Sequence, residues 1–299
     1  MGATDAQVVG FIGLGRMGKP MAAHLVSGGW EVHVYSRSPG PVRELTELGA
    51  VECGTAEEVA HRCPIVVTML PAGPDVEAVV SGPNGILDGL QPGGLLIDMS
   101  TIEPAVSRGL AALVAERGGA MIDAPVSGGQ RGAMDATLSI MVGGSAEAIE
   151  RALPVLNLLG KTITRCGDAG AGQVVKACNQ LVVGSTIEAV AEAFNLASAA
   201  GVQVDLVRSA LLGGLASSRV LEAHGQRMIT RDFEPGGPVR LHLKDAGIVT
   251  GMADELDVPV DGFRSFADNL SALADRGLAE LDHSSVLLEL ERASRSERT

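Results

Sequence analysis

Val8-Val9-Gly10-Phe11-Ile12 leads directly into Gly13-Leu14-Gly15-Arg16-Met17-Gly18, and the helical pattern Met21-Ala22-Ala23-His24-Leu25 follows at once. An apolar run, a Gly-x-Gly-x-x-Gly turn and a helix start, in that order, are the signature of a βαβ unit whose turn cradles a dinucleotide diphosphate. Gly13 permits the tight turn, Gly15 lets the backbone approach the anion, and Gly18 lets helix and strand pack closely. Free amides at the helix start then face the phosphates. The same stretch also fits Gly-x-x-x-x-Gly-Lys over Gly13 to Lys19, the phosphate loop of nucleoside triphosphatases, which next requires Ser or Thr. Pro20 stands there instead, with no hydroxyl for magnesium and no backbone donor, so the dinucleotide reading is preferred.

Working outward, 299 residues exceed one typical core and point to two domains. The charged fraction of 20% and the apolar fraction of 46% are those of an ordinary globular chain. A net charge of -13 with scattered Lys and Arg argues against a nucleic-acid surface, while a small anionic substrate needs only a few local cations. Cys53, Cys63, Cys166 and Cys178 show no Cys-x-x-Cys spacing and are expected to be buried, reduced thiols. The six histidines form no His-Glu-x-x-His pattern, so no metal is expected. The polar start, residues 1–7, followed by a glycine-interrupted strand, resembles neither a signal peptide nor a membrane span. The expectation is therefore a cytoplasmic protein that does not engage membranes.

From Val8 to about Arg165, short apolar runs alternate with helical stretches. Strands are expected at Val8–Ile12, Val32–Tyr35, Ile65–Met69, Leu95–Met99, Ala120–Ile122 and Leu138–Val142, with helices such as Pro104–Arg117 and Ala146–Leu159 between some of them. After about Arg165 no strand is expected. Helical periods run over Gly170–Gly201, Val204–Leu212, Leu243–Leu256, Phe263–Leu273 and Val286–Leu290, and the polar end from Arg292 reads as frayed. The expected fold is thus an α/β, Rossmann-like doubly wound sheet over residues 1–166, followed by an all-α domain over 167–299. The first long helix carries Val174, Val175, Leu181, Val182, Ile187, Val190, Phe194 and Leu196, more apolar surface than one small domain covers, so the helical half is expected to pair with a second copy.

The strand Val32-His33-Val34-Tyr35 ends in Ser36-Arg37-Ser38, where NAD enzymes usually place an acid for the ribose hydroxyls. Hydroxyls and a guanidinium suit a 2′-phosphate, so NADP is preferred over NAD, although an arginine that stacks on adenine serves either. Met69-Leu70-Pro71 and Ser100-Thr101 lie at carboxyl ends of expected strands, where ligands bind in open α/β sheets; ordinary turn chemistry is the alternative. Asp123-Ala124-Pro125-Val126-Ser127-Gly128-Gly129 reads as a strand end feeding a turn, either a plain glycine turn or a nest of amides for a substrate carboxylate. In Gly170-Ala171-Gly172-Gln173-Val174-Val175-Lys176-Ala177-Cys178-Asn179-Gln180, Lys176 and Asn179 are three apart and share a helical face. A lysine among valines commonly snorkels to water. The functional reading is an ammonium that gives a proton to a carbonyl as hydride arrives, tuned by burial. Lys244-Asp245, expected to open a helix after Gly236-Gly237-Pro238, is either a surface ion pair or a reach by Lys244 toward cofactor or substrate.

Five segments in this order, Gly13 to Pro20, Met69-Leu70-Pro71, Asp123 to Gly129, Gly170 to Gln180 and Lys244-Asp245, resemble the β-hydroxyacid dehydrogenase family over about Val8 to Leu290. The family includes 3-hydroxyisobutyrate dehydrogenase and 2-hydroxy-3-oxopropionate reductase. The resemblance implies reversible hydride transfer between NADP or NAD and a short β-hydroxyacid or its semialdehyde, in a homodimer or homotetramer. It makes Lys176 the general acid and base, Ser127, Gly128 and Gly129 the substrate-anchoring turn, and Asn179 the residue that orients the substrate. Gly13, Leu14, Gly15, Arg16, Met17 and Gly18 become the cofactor turn, with Thr101 and Lys244 as further cofactor contacts; Leu70, Pro71 and Asp75 align with the loop on the nicotinamide side. Lys176 sets the chain apart from imine reductases, which share the scaffold and generally replace that lysine. Two departures stand out: relatives often carry Phe where Gly236-Gly237-Pro238 lies, and leucine where Ala246 follows the Lys-Asp pair. Phe233 is the nearest upstream aromatic.

Overall fold

The computed structural model describes residues 7–296, with side chains to residue 294. It falls into two compact units, one extending to Lys176 and one beginning at Ala177. The expectation for residues 1–6 lies outside the described residues.

The first unit holds nine strands: β1 Val8–Ile12, β2 Glu31–Tyr35, β3 Val51–Glu52, β4 Ile65–Thr68, β5 Leu95–Asp98, β6 Ala120–Asp123, β7 Val126–Ser127, β8 Leu138–Gly143 and β9 Gly160–Gly167. Helices α1 Gly18–Ser27, α2 Pro39–Glu47, α3 Ala56–Arg62, α4 Gly73–Ser81, α5 Ile86–Gly89, α6 Pro104–Glu116, α7 Gly129–Met134 and α8 Ala146–Leu156 run between them. The strand order is β3-β2-β1-β4-β5-β6-β8-β7, with β9 beside β8. From β3 to β6 every pairing is parallel. This is the doubly wound arrangement, and the order reverses between β1 and β4, where such sheets bind their ligands. Alternate side chains of β5 bury on opposite faces, Leu95 and Ile97 in one core and Leu96 in the other. Two-sided burial explains why these strands read as continuous apolar runs.

The sheet departs from expectation at its far edge. β8 is antiparallel to β6 and β7, and β3, β7 and β9 were not anticipated. β3 and β7 are two residues long, too short for a periodic signal. β9, Gly160–Gly167, carries Lys161, Thr162, Thr164 and Arg165 around Ile163, because a strand with one neighbour leaves most side chains in water.

The second unit is helical: most of α9 Ala171–Ala199, then α10 Val204–Leu212, α11 Arg219–Thr230, α12 Val239–Glu255, α13 Asp261–Asp275 and α14 Val286–Ser296. α11 was not anticipated; Ser218 caps it by accepting from Leu221 N at 3.0 Å. α12 starts five residues before Lys244, so that lysine lies in the second turn and does not open the helix as expected. α14 continues through Ser296, where fraying was expected from Arg292; residues 297–299 lie outside the described residues. The core unites Ile187 and Phe194 of α9 with Leu221, Val249, Phe263, Phe266, Leu270 and Val286. Of the long helix's apolar residues Ile187, Val190 and Phe194 are therefore covered, whereas Val175, Val182 and Leu196 are exposed. Among the described residues no helix is long and apolar enough to cross a membrane.

Candidate active site

The turn after β1 has the shape its glycines require. Gly13 sits at φ 96°, and a Cβ there would stand 2.4 Å from Met69 O, bringing the loop after β4 against the turn. A Cβ on Gly18 would meet Gly13 O at 1.8 Å, so only glycine lets α1 start here. Gly15 has nothing within 4 Å of its Cβ position: its surface is open, as a backbone that receives a diphosphate must be. Leu14 is buried, Met17 half-buried and Arg16 exposed. Lys19 pairs with Glu44 of α2 at 2.7 Å, which sets it apart from a phosphate-loop lysine. These residues fit a bound dinucleotide.

At the end of β2, Ser36 Oγ accepts from Ser38 N at 3.4 Å. Arg37, 78% exposed, donates to Asp75 Oδ1 at 3.2 Å. Asp75 lies in the first turn of α4. Among the described residues Arg37 has an acid neighbour and, past β2, no carboxylate of its own strand.

The ends of β4, β5 and β6 are joined by buried hydrogen bonds. Thr68 Oγ1 and Ser100 Oγ both donate to Asp98 Oδ1, at 2.8 and 2.6 Å, and Ser100 Oγ accepts from Leu70 N at 2.9 Å. The Met69-Leu70-Pro71 and Ser100-Thr101 loops are thereby held together. Asp123 accepts from Gly170 N at 2.6 Å and from Gln173 N at 2.8 Å. Burial pushes its carboxyl above the usual range, against the pull of those amides. Gln173 donates to Ser100 O at 2.8 Å and accepts from Ile102 N at 3.2 Å. Lys176, one turn further along α9, is only 6% exposed, so it does not snorkel into water. After Asp123 the chain passes through β7 to Gly128 and Gly129, at φ 134° and 60°, both exposed. Positive φ at two consecutive glycines gives the turn a course that other residues rarely adopt. Sequence reasoning missed Asp98 and Gln173 as site-building residues; a carboxylate closing a buried strand is the signal that marks Asp98.

Within the second unit, Asn179 Nδ2 donates to Gln180 Oε1 at 2.8 Å and Gln180 Nε2 to Asp245 Oδ2 at 2.6 Å. Lys244 Nζ stands 3.0 Å from Asp245 Oδ1. Asn179 and Lys244, 65 residues apart in sequence, thus belong to one polar chain. Ala246 is buried in the helical core.

One further expectation changes in part. Cys53 and Cys63 are buried, but Cys166 is half-buried and Cys178 exposed on α9; all four are free thiols. His224, Asp282 and His283 also gather, with candidate ligand atoms within 4.8 Å of one another, a cluster no local motif announces. Asp282 already accepts from Gly236 N, Gly237 N, Ser284 N, Ser284 Oγ and Arg227, which occupies its oxygens with donors. That pattern ties the segment before α12 to the one before α14.

Comparison with known proteins agrees with this geometry. Residues 8–167 match the family described as the NAD binding domain of 6-phosphogluconate dehydrogenase. Residues 170–290 match that described as NAD-binding of NADP-dependent 3-hydroxyisobutyrate dehydrogenase. A 2-hydroxy-3-oxopropionate reductase of Escherichia coli is 45% identical over 95% of this chain and 97% of its own. A 3-hydroxyisobutyrate dehydrogenase of Pseudomonas aeruginosa is 36% identical over 93% of this chain and 96% of its own. The solved structure of Mycobacterium tuberculosis 3-hydroxyisobutyrate dehydrogenase with L-serine superposes with a TM-score of 0.88 at 32% identity, over 95% of this chain and 99% of that one. With its glycine cradle, its buried helix lysine and near full-length kinship, the chain belongs to the β-hydroxyacid dehydrogenase family of NAD(P)-dependent oxidoreductases.

Proposed function

We propose that this enzyme interconverts a short β-hydroxyacid and its semialdehyde, with Lys176 as general acid in reduction and general base in oxidation. The observation that carries the reading is a lysine 6% exposed on a helix whose first turn is bonded to the strand ends beside the glycine cradle. When bound, the nicotinamide supplies the hydride for reduction and takes it back for oxidation. Lys176 Nζ then gives its proton to the carbonyl oxygen as that oxygen becomes an alkoxide, and recovers it from the hydroxyl in reverse. Ser127, Gly128 and Gly129 anchor the substrate carboxylate, and Asn179 orients the reacting end. Thr101 and Lys244 contact the cofactor. Holding both reactants by fixed groups lowers the entropic part of the barrier.

Ser36, Arg37 and Ser38 favour NADP over NAD. The Arg37–Asp75 pair supports assigning Asp75 to the ribose end of the cofactor, whereas Leu70 and Pro71 remain with the nicotinamide. Residues 1–166 form the nucleotide-binding part and 167–299 the substrate and assembly part. Val175, Val182 and Leu196 recur on α9 at multiples of seven, exposed on the single chain, and support a homodimer or tetramer. Light scattering of Val182→Glu/Leu196→Glu, expected to yield a smaller species than the parent, checks that assignment.

The 45% identical relative makes 2-hydroxy-3-oxopropionate the first alternative substrate. Steady-state kinetics with methylmalonate, tartronate and succinate semialdehydes and glyoxylate, each with NADPH and NADH, decides among them. Lys176→Ala is expected to lower turnover at least about a hundredfold while cofactor affinity stays nearly intact. Unchanged turnover rejects the role, and cofactor binding without turnover on any of these compounds favours a non-catalytic binding protein.

A further inference from the structure

We infer that Asp123 and Gln173 are positioning residues for Lys176, a buried clamp that fixes the first turn of α9 against the ends of β5 and β6. The inference rests on the reading of Lys176 as the proton donor.

Every helix leaves its first amides without intrahelical partners, and a polar side chain at the cap ordinarily supplies an acceptor. α3, α8 and α11 of this chain do so cheaply, through Thr55, Ser145 and Ser218 beside the helices they cap. α9 is treated differently. Its amide acceptors come from Asp123, 47 and 50 residues away, at the end of a central strand. That carboxylate is 1% exposed, and burying it is costly, which the upward displacement of its protonation equilibrium reflects. Capping alone does not require this expense.

The carboxylate is a rigid fork with one oxygen on Gly170 N and the other on Gln173 N, so it sets both the advance of the helix and its rotation. Gln173, also 1% exposed, then spends both ends of its amide on the next loop, at Ser100 O and Ile102 N. Ser100 in turn holds Leu70 N, so the bonds run unbroken from the loop after β4 to α9. The packing beneath leaves no slack. A Cβ on Gly172 would lie 2.4 Å from Met141 O and 2.7 Å from Asp123 Oδ2, and one on Gly143 would lie 2.7 Å from Gly172 N. The helix start therefore rests on the strands at a distance that glycine alone permits. Lys176 stands three residues past Gln173, so any shift of this turn moves the ammonium with it.

Asp123→Asn and Gln173→Met keep side-chain size while each removes part of the clamp. Thermal melting, NADPH affinity and stoichiometry by fluorescence, kcat and KM for the best semialdehyde, and the isotope effect with hydride-deuterated NADPH are measured beside the parent and Lys176→Ala. Both clamp variants are expected to bind stoichiometric NADPH with affinity close to the parent's. Their kcat falls about 10- to 100-fold, as a displacement of about 1 Å produces, and the deuterium isotope effect grows as the chemical step becomes limiting. A lowered melting temperature with parental kcat and isotope effect per bound cofactor overturns the inference, because that is what a purely structural role gives. Should Asp123→Asn fail to fold, Gln173→Met carries the test alone. If Lys176→Ala keeps parental turnover, the catalytic reading itself fails; if it is inactive while both clamp variants keep parental kcat, only the clamp fails.

Discussion

Arg37 is the residue on which the proposed preference for NADP turns. No carboxylate closes β2, and the proposed reading gives the guanidinium beside Asp75 to a 2′-phosphate. Arg37→Asp is expected to lower kcat/KM with NADPH by roughly tenfold or more and to favour NADH, the magnitude of a lost charge-assisted bond. An unchanged cofactor ratio removes Arg37 from cofactor choice. The thiols give a second test at this scale. Burial pushes Cys53 up to about 11 and Cys63 up to about 12, so neither forms appreciable thiolate near neutrality. Cys178 is exposed. Titration with a chromogenic disulfide at pH 8 is expected to leave Cys53 and Cys63 unlabelled until the protein unfolds.

At the level of the element, the turn between β1 and α1 separates two uses of glycine that the motif alone does not distinguish. Gly18 is required by the fold, since a Cβ there strikes Gly13 O, whereas Gly15 faces open space. Gly18→Ala is expected to destabilise the first unit by about 1–3 kcal/mol, the range for overpacking. Gly15→Ala should melt with the parent, since its methyl meets nothing within the fold, yet lose cofactor affinity if the open face receives the diphosphate as proposed. Melting curves and NADPH titration of the pair check both statements. The same scale shows where a sequence reading stops. β1, β4 and β5 announce themselves because both faces are buried; β9, polar on an edge, and α11, with its sparse apolar residues, do not.

For the whole molecule, the clearest consequence is the response to acid. His283 is held well below its usual range by burial and by the neighbouring His242, so the folded state excludes a proton that the unfolded chain accepts. Its contribution is complete above about pH 6.5 and is lost as pH falls below that value. Asp282, in spite of its burial, is held well below 3.8 by the donors gathered on it, Gly237 N and Ser284 among them, so a second loss begins under about pH 3.8. Asp123 and Glu188, raised by burial, run the other way and soften the decline, since protonation relieves them in the folded state. Melting temperatures from pH 8 to pH 4 are expected to fall most steeply below pH 6.5, and His283→Gln should flatten that segment.

Local pattern alone determined the class of the protein: the apolar run and glycine turn at Val8–Gly18, the alternation behind it and the proline-free helix from Gly170 specify a nucleotide-binding sheet followed by helices. The candidate catalytic lysine was visible for the same reason, since it sits within one short segment beside Asn179. Tertiary structure decided what joins those segments. Asp123 and Gln173, or Asp282 and Arg227, are separated by tens of residues, and no periodicity relates them. Their partnership exists only because buried charges and amides must find acceptors and donors once water has been removed, and the folded chain alone determines which are within reach.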